Sequence, residues 1–207
     1  MAVNDHSLAL REQDLDPDPL RQFERWFAEA DAAGVRLPEA VALATASARG
    51  APSLRMVLMK GFDERGLVFF TNYASRKGLE LAANPHAALM FYWDPLGRQV
   101  RLEGPVARTS ARESAEYVRS RPHASQLSAL ASPQSRPLQS REELELQVAA
   151  LRDRYGEGEL PLPQDWGGFR LDPHSIEFWQ QRNDRLHDRL SYLREGGRGW
   201  RIERLAP

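Results

Sequence analysis

The stretch that decides the fold is Pro52–Asn72, "PSLRMVLMKGFDERGLVFFTN". Two runs rich in Val, Leu, Met and Phe flank "DERG", a short polar segment closing on glycine. That is the pattern of two antiparallel strands joined by a tight turn. The first run carries Arg55 and Lys60 around four apolar residues, Met56, Val57, Leu58 and Met59. Side chains alternate along a strand, so the two cations are expected on opposite faces. A strand buried on one side cannot turn a charge inward without a partner. One of the two must meet an anion or open a pocket, unless both are simply solvated strand ends.

The same composition recurs at 40–47 ("AVALATAS"), 87–94 ("AALMFYWD") and 98–110 ("RQVRLEGPVARTS"), with turn signals in "ARGAP" and "DPLG". Five strands at this spacing imply an antiparallel sheet that closes into a barrel. Helices decorate it. "DPDPLRQFERWFAEADAAG" (16–34) puts Pro19 in a first turn, Leu20, Phe23, Trp26 and Phe27 on one stripe, and Gly34 at the end. "SRKGLELAANP" (75–85) starts on Ser75 as N-cap and stops at Asn84-Pro85. Ser110 with Glu113 and Ser140 with Glu143 are capping boxes for further helices. Pro122 interrupts the first of these before "HASQLSALAS", and the second carries Leu144, Val148, Leu151 and Tyr155 on one face. "PQSRPLQS" (133–140) and "GEGELPLPQDWGG" (156–168) read as loops; "FRLDPHSIEFWQQ" (169–181) returns to strand, and 189–207 to a hairpin around Gly196-Gly197. The expected fold is α+β and mainly β, an antiparallel barrel, with a polar mobile segment at 1–16 and one domain over 17–207.

The chain has 207 residues, a formal net charge of −1 and no cysteine. Disulfides, thiolate catalysis and thiolate metal sites are excluded, and no metal-ligand spacing surrounds His187. The charge gives no bulk case for nucleic acid, no apolar run is long enough to span a bilayer, and "MAVNDHSLALREQDLDPDPL" has no signal-peptide core. A soluble cytoplasmic protein is expected. Of the 28 basic residues only Lys60 and Lys77 are lysines, and both fall inside the motifs considered next.

"TNYASRKG" (71–78) runs from a strand end into a helix N-terminus that carries Ser75, Arg76 and Lys77. Free N–H groups, a hydroxyl and two cations suit a phosphate. The glycine spacing of a nucleotide-binding loop is missing. Tyr117, Arg121 and Ser125 recur every four residues, so one helix face would present a phenol, a guanidinium and a hydroxyl, either a polar surface or a phosphate clamp. "EFWQQRNDRLHDR" (177–189) collects Trp179, Arg185, His187 and Arg189; on an extended chain the last three face one way. Together these groupings suggest two flat phosphorylated ligands held side by side.

The motifs "RMVLMKGFDERGLVFFTNYASRKG", "RQVRLEGPV", "YVRSRPHASQ", "PLPQDWGGFR", "IEFWQ", "RLHDR" and "WRIERLAP" resemble, in order and from about Leu10 to the C-terminus, the pyridoxine/pyridoxamine 5′-phosphate oxidase family. The resemblance implies an FMN-binding split β-barrel, a homodimer with FMN at the subunit interface, and oxidation of pyridoxamine or pyridoxine 5′-phosphate to pyridoxal 5′-phosphate with O2 reduced to hydrogen peroxide. It assigns Arg55, Met56, Val57, Leu58, Met59 and Lys60, then Phe70, Thr71, Arg76, Lys77 and Gln99, to the flavin. Gln134, Ser135, Trp179 and Arg189 are implied flavin contacts from the other subunit. Lys60, Tyr117, Arg121 and Ser125 match the substrate-phosphate clamp, and Arg185 and His187 the residues over the pyridine ring, where the catalytic positions lie.

Two departures stand out. The family's Arg-Arg-Glu-Tyr run ahead of the first helix has no counterpart in "MAVNDHSLALREQDL", where Arg11 is the only basic residue, and this bears on lid closure. "QQRND" replaces a glycine-bearing version before "RLHDR". Two other readings stay open: a related flavin oxidase for another small aromatic, such as a phenazine precursor, and a flavin- or pyridoxal-phosphate-binding carrier without turnover.

Overall fold

The computed structural model describes residues 9–196 and 199–207. The first helix, α1 (Pro19–Ala32), forms where its stripe predicts, with Asp18 Oδ1 accepting from Leu20 N–H at 2.9 Å. The five expected strands follow as β1 (Ala40–Ala46), β2 (Pro52–Asp63), β3 (Gly66–Asn72), β4 (His86–Trp93) and β5 (Arg98–Arg108), with α2 (Arg76–Ala83) between β3 and β4. Next come α3 (Ala111–Ser120), α4 (His123–Ala131) and α5 (Arg141–Tyr155). Ser110 and Ser140 accept from the amides of Glu113 and Glu143, as their boxes predict. The chain ends in β6 (Trp166–Leu171), β7 (Ser175–Gln180), β8 (Asp188–Arg194) and β9 (Trp200–Arg204).

Six strands close into an antiparallel barrel in the order β1-β2-β3-β6-β5-β4, with β4 pairing back onto β1. A meander, β7-β8-β9, continues from β5. That makes β5 the shared strand: Arg98–Glu103 pair with β7, and Val106–Arg108 with β6. Gly104 lies between the two stretches. A Cβ there would sit 2.1 Å from the Asp172 carbonyl oxygen, because the β6–β7 connection crosses directly over it. The aromatic stripe of α1 fills the core that barrel and meander share: Phe23 meets Phe62 edge-on at 5.1 Å, and Trp26 meets Phe178 likewise at 5.1 Å.

Two expectations change. The 169–181 segment returns to strand as expected, as β6 and β7, but β6 begins at Trp166, inside the expected loop, because Trp166–Gly168 pair with Phe70–Asn72. Of the segment expected to be mobile, 1–8 lie outside the described residues, whereas 9–16 are fastened to the meander. Leu10 and Leu15 are buried, Leu10 N–H donates to Asp188 Oδ2, Glu12 pairs with Arg204 at 2.8 Å, and Tyr192 Oη donates to the Asp16 carbonyl. Sequence polarity hid these anchors because their partners lie some 180 residues away. The final hairpin pairs through Arg194 and Trp200, but Gly197 of its expected turn lies outside the described residues.

Gly104→Ala tests the crossing. With backbone 2.1 Å from the added Cβ, the substitution lowers unfolding free energy by about 1–3 kcal/mol, as overpacking does; urea denaturation unchanged from the parent would show that the crossing yields freely.

Candidate functional site: a cationic cleft between β2 and β3

Strand β2 changes neighbours along its length. Pro52–Leu58 pair with β1 and Met59–Asp63 with β3. Residues 55–58 and 70–72 therefore have no ladder between them, and a cleft of about 450 Å³ opens there. At the changeover the register shifts between Met59 and Gly61, which makes Lys60 a bulge residue. Arg55 and Lys60 both line the cleft, as do Met56, Val57 and Leu58 between them, so residues from both faces of the unpaired strand border it.

Four cations line the cleft (Arg55, Lys60, Lys77 and Arg121) and, among the described residues, no carboxylate does. They are held differently. Arg55 is heavily committed: Nη1 donates to the Leu43 carbonyl and Thr45 Oγ1, and Nη2 to Ser53 Oγ and Glu80 Oε2. Glu80, 8% exposed, also accepts from Thr45, Ser53 and Arg76. Burial alone would raise its carboxyl, but hydrogen bonds from Ser53, Thr45, Arg76 and Arg55 outweigh it and hold the group at about 2. Lys77, also 8% exposed, has only neutral oxygens within reach: Thr71 Oγ1 at 3.2 Å, Ser75 Oγ at 3.4 Å and Gln134 Oε1 at 2.9 Å. Burial, with Arg55 nearby, pushes its ammonium down.

Arg121 is oriented by aromatic rings. Its guanidinium lies 4.7 Å over the Trp166 ring. Trp166 is parallel to Tyr117 within 2°, and Tyr117 stacks on Phe70 at 3.8 Å. Arg121 Nη1 is buried without a hydrogen-bond partner. Burial pushes the Tyr117 phenol up, Arg121 partly opposing, so the hydroxyl stays protonated and can donate. The helix bearing Tyr117 approaches this closely because β6 offers glycines: a Cβ on Gly167 would sit 2.8 Å from Ser114 Oγ of that helix, and Gly168 N–H donates to the same hydroxyl at 3.3 Å.

Met56, Val57, Leu58, Phe70, Thr71 and Gln134 also line the cleft as expected. Met59 does not; it is buried in the core. Arg76 stays outside on Glu80, and Ser135 is exposed with φ at 70°. Gln134, expected to serve the other subunit, bonds Thr71 and Lys77 of its own chain. Pro122 interrupts the helix as its position predicts, with Arg121 extended ahead of it, and the break separates the expected shared face: Tyr117 and Arg121 line the cleft, Ser125 does not, and Ser128 and Ser132 do. Sequence reasoning missed Glu80 and Trp166. The signals were an Arg76–Glu80 spacing of four on α2 and a Trp-Gly-Gly run misread as loop.

The remaining predicted residues form a second grouping that does not line the cleft. Gln99, Trp179 and Arg189 sit side by side across β5, β7 and β8. Arg189 is clamped by buried Glu177, at 2.8 and 3.1 Å, and donates to the Ala206 carbonyl. The His187 and Trp179 rings lie 4.6 Å apart. The Arg182 N–H donates to His187 Nδ1, so the neutral ring carries its proton on Nε2. Arg185 does not share an extended alternation with His187; it lies in a 3-10 turn at Asn183–Arg185, where Asp184 and Arg185 both take positive φ, 57° and 60°.

Residues 27–155 match the family described as Pyridoxamine 5'-phosphate oxidase, and residues 166–207 match Pyridoxine 5'-phosphate oxidase C-terminal dimerisation region. The chain belongs to the pyridoxine/pyridoxamine 5′-phosphate oxidase family. It is 57% identical to the Pyridoxine/pyridoxamine 5'-phosphate oxidase of Rubrobacter xylanophilus, over 96% of this chain and 91% of the relative. Against the Bordetella pertussis protein of the same name it is 56% identical, over 96% and 93%. Among solved structures, PhzG from Burkholderia lata 383, in complex with tetrahydrophenazine-1-carboxylic acid, superposes with a TM-score of 0.90 at 36% identity, covering 96% of this chain and 98% of PhzG. An FMN binding protein from Nostoc punctiforme shares the fold, with a TM-score of 0.71 at 20% identity over 98% of this chain and 100% of that one. The chain is thus an oxidoreductase-family, flavin-type split barrel carrying the family's dimerisation region, and no helix among the described residues is long and apolar enough to cross a membrane.

The depressed Glu80 carboxyl has a pH consequence. Its contribution to stability is fully present above the ordinary value of 4.5 and is lost as pH falls towards 2. The stability difference between parent and Glu80→Gln, measured by urea denaturation, is therefore larger at about pH 6 than at about pH 3; a constant difference would mean the carboxyl is not held down.

Proposed function

We propose that the chain is an FMN-dependent oxidase converting pyridoxamine 5′-phosphate and pyridoxine 5′-phosphate to pyridoxal 5′-phosphate. The observation that carries this reading is Arg121 Nη1, buried and unpaired in a wall shared with Tyr117 and Lys60. An unmet buried guanidinium donor is costly. A phosphate oxygen removes that cost, with the phenol and ammonium donating beside it.

Lys77, in the same cleft, suits a second phosphate, that of FMN. Lys77 faces only neutral oxygens, and it sits in the first turn of α2, where free N–H groups favour an anion. Bound FMN would supply the redox chemistry, as acceptor of two electrons from the substrate and their route to O2, which leaves as hydrogen peroxide; with the amine substrate, water would enter and ammonia leave. The chain supplies binding and orientation. The clamp of Lys60, Tyr117 and Arg121 anchors the substrate phosphate, and that remote binding energy fixes C4′. Arg185 and His187 lie over the pyridine ring in this reading, with His187 donating from Nε2.

Gln99, Trp179 and Arg189 reach the flavin from a second copy. From β2 to β8 the sheet order takes five strand steps, about 24 Å along the sheet. The outer face of β2 and β4 exposes Leu54, Met56 and Tyr92, at 69%, 63% and 50%, an apolar surface suited to that contact. We place this homodimer in the cytoplasm. PhzG marks the other reading, oxidation of a different small aromatic; the unmet Arg121 beside Tyr117 and Lys60 favours a phosphorylated substrate.

Anaerobic mixing of the FMN-loaded protein with pyridoxamine 5′-phosphate bleaches the flavin band, and air restores it as pyridoxal 5′-phosphate appears. A flavin that stays yellow with both B6 phosphates would sink the reading. Arg121→Gln raises KM by about 10–100-fold, the range for loss of a charged hydrogen bond, and leaves FMN bound; an unchanged KM would remove Arg121 from the clamp.

A further inference from the structure

We propose that Trp166 is a positioning residue of the substrate-phosphate clamp, orienting Arg121 by its ring face so that the guanidinium keeps its full charge for the ligand. The inference rests on the proposed function, because it assumes that the ligand's phosphate meets Arg121.

Three other arginines of the fold are oriented by carboxylates, whereas Arg108 lies over the Tyr73 ring at 4.0 Å. Arg55 is held by Glu80, Arg189 by Glu177, and Arg170 by Asp63 and Glu113 together. Each such pair fixes geometry and cancels charge. Arg121, which lines the cleft, is held by a ring and not by a carboxylate. Its backbone is pinned: its N–H donates to the Val118 carbonyl, Gln126 Nε2 donates to its carbonyl at 2.8 Å, and Pro122 holds it extended. Its side chain lies on Trp166 at 4.7 Å with Nη1 buried and unmet. A ring face attracts a guanidinium without accepting its N–H groups in the plane. The forked donors stay available and no counter-charge competes with an incoming phosphate.

Trp166 is itself well fixed. It pairs with Asn72 at the start of β6 and lies parallel to Tyr117, which stacks on Phe70. One ring therefore sets both the cation and the phenol of the clamp. Its effect appears as selectivity for the phosphorylated ligand and in KM, since kcat depends on groups nearer C4′.

The test uses the FMN-loaded enzyme with two unreactive probes, 4-deoxypyridoxine 5′-phosphate and 4-deoxypyridoxine, titrated calorimetrically. The affinity ratio between them isolates the phosphate. Trp166→Leu lowers the ratio about tenfold and Trp166→Phe about threefold, in line with a partly desolvated cation–π contact that is strongest for Trp. KM for pyridoxamine 5′-phosphate rises in parallel, with kcat largely retained. In an Arg121→Gln background neither change lowers the ratio further, because Trp166 acts through Arg121. If Trp166→Leu does not hold FMN, the same cycle with Trp166→Phe decides. A parental ratio kept in the variants, or the same fall without Arg121, overturns the inference alone. A parent that does not prefer the phosphorylated probe overturns the proposed function, and the inference with it.

Discussion

Everything at the site depends on β2 serving two neighbours in succession. A closed barrel has no free strand edges. Here the barrel closes through β2, yet that strand leaves β1 at Leu58 and takes up β3 at Met59. The changeover leaves a stretch of each strand without its neighbour, and unpaired backbone groups must find partners. The bulge at Lys60 belongs to the same event, since the pairing of Gly61 with Val68 restarts the ladder one residue out of step. The changeover thus opens the cleft, and Lys60, at the point where the register shifts, lines it.

The cleft is then lined with positive charge that the fold stabilises in different ways. Arg55 is tied to a carboxylate that is tied to two hydroxyls and a second arginine. That network is complete without a ligand and rigidifies the wall. Lys77 and Arg121 are incomplete: one rests on neutral oxygens, the other on a π face. Buried cations in such settings carry a desolvation cost that an anion offsets. One fixed and two unmet cations thus line one cavity, so the site holds its shape and still gains from binding.

Most elements were legible because they rest on local chemistry. Strand runs, the α1 stripe and the serine caps depend on residues a few positions apart. What escaped the sequence depended on tertiary approach. Trp166-Gly167-Gly168 reads as loop until one sees that the glycines admit α3 and pair with β3. Residues 9–16 read as polar tail until Arg204 and Asp188 come within reach. Ser125 drops out through the proline already visible at 122, which turns the chain after Arg121.

The separation of the two groupings is itself informative. Gln99, Trp179, His187 and Arg189 gather on the meander side, where Glu177 fixes both Arg189 and Arg101. The cleft gathers on the β2–β3 side, and none of that first set enters it. A single chain would have little use for an aromatic and cationic cluster held this rigidly at a distance from the cavity it resembles. The residues that match the dimerisation region, 166–207, include Trp166 at the cleft and Trp179, His187 and Arg189 on the meander. In the proposed dimer, the segment that supports one cleft therefore completes the other. Site assembly and subunit association become a single folding problem, which gives the exposed apolar residues of β2 and β4 a place to be buried.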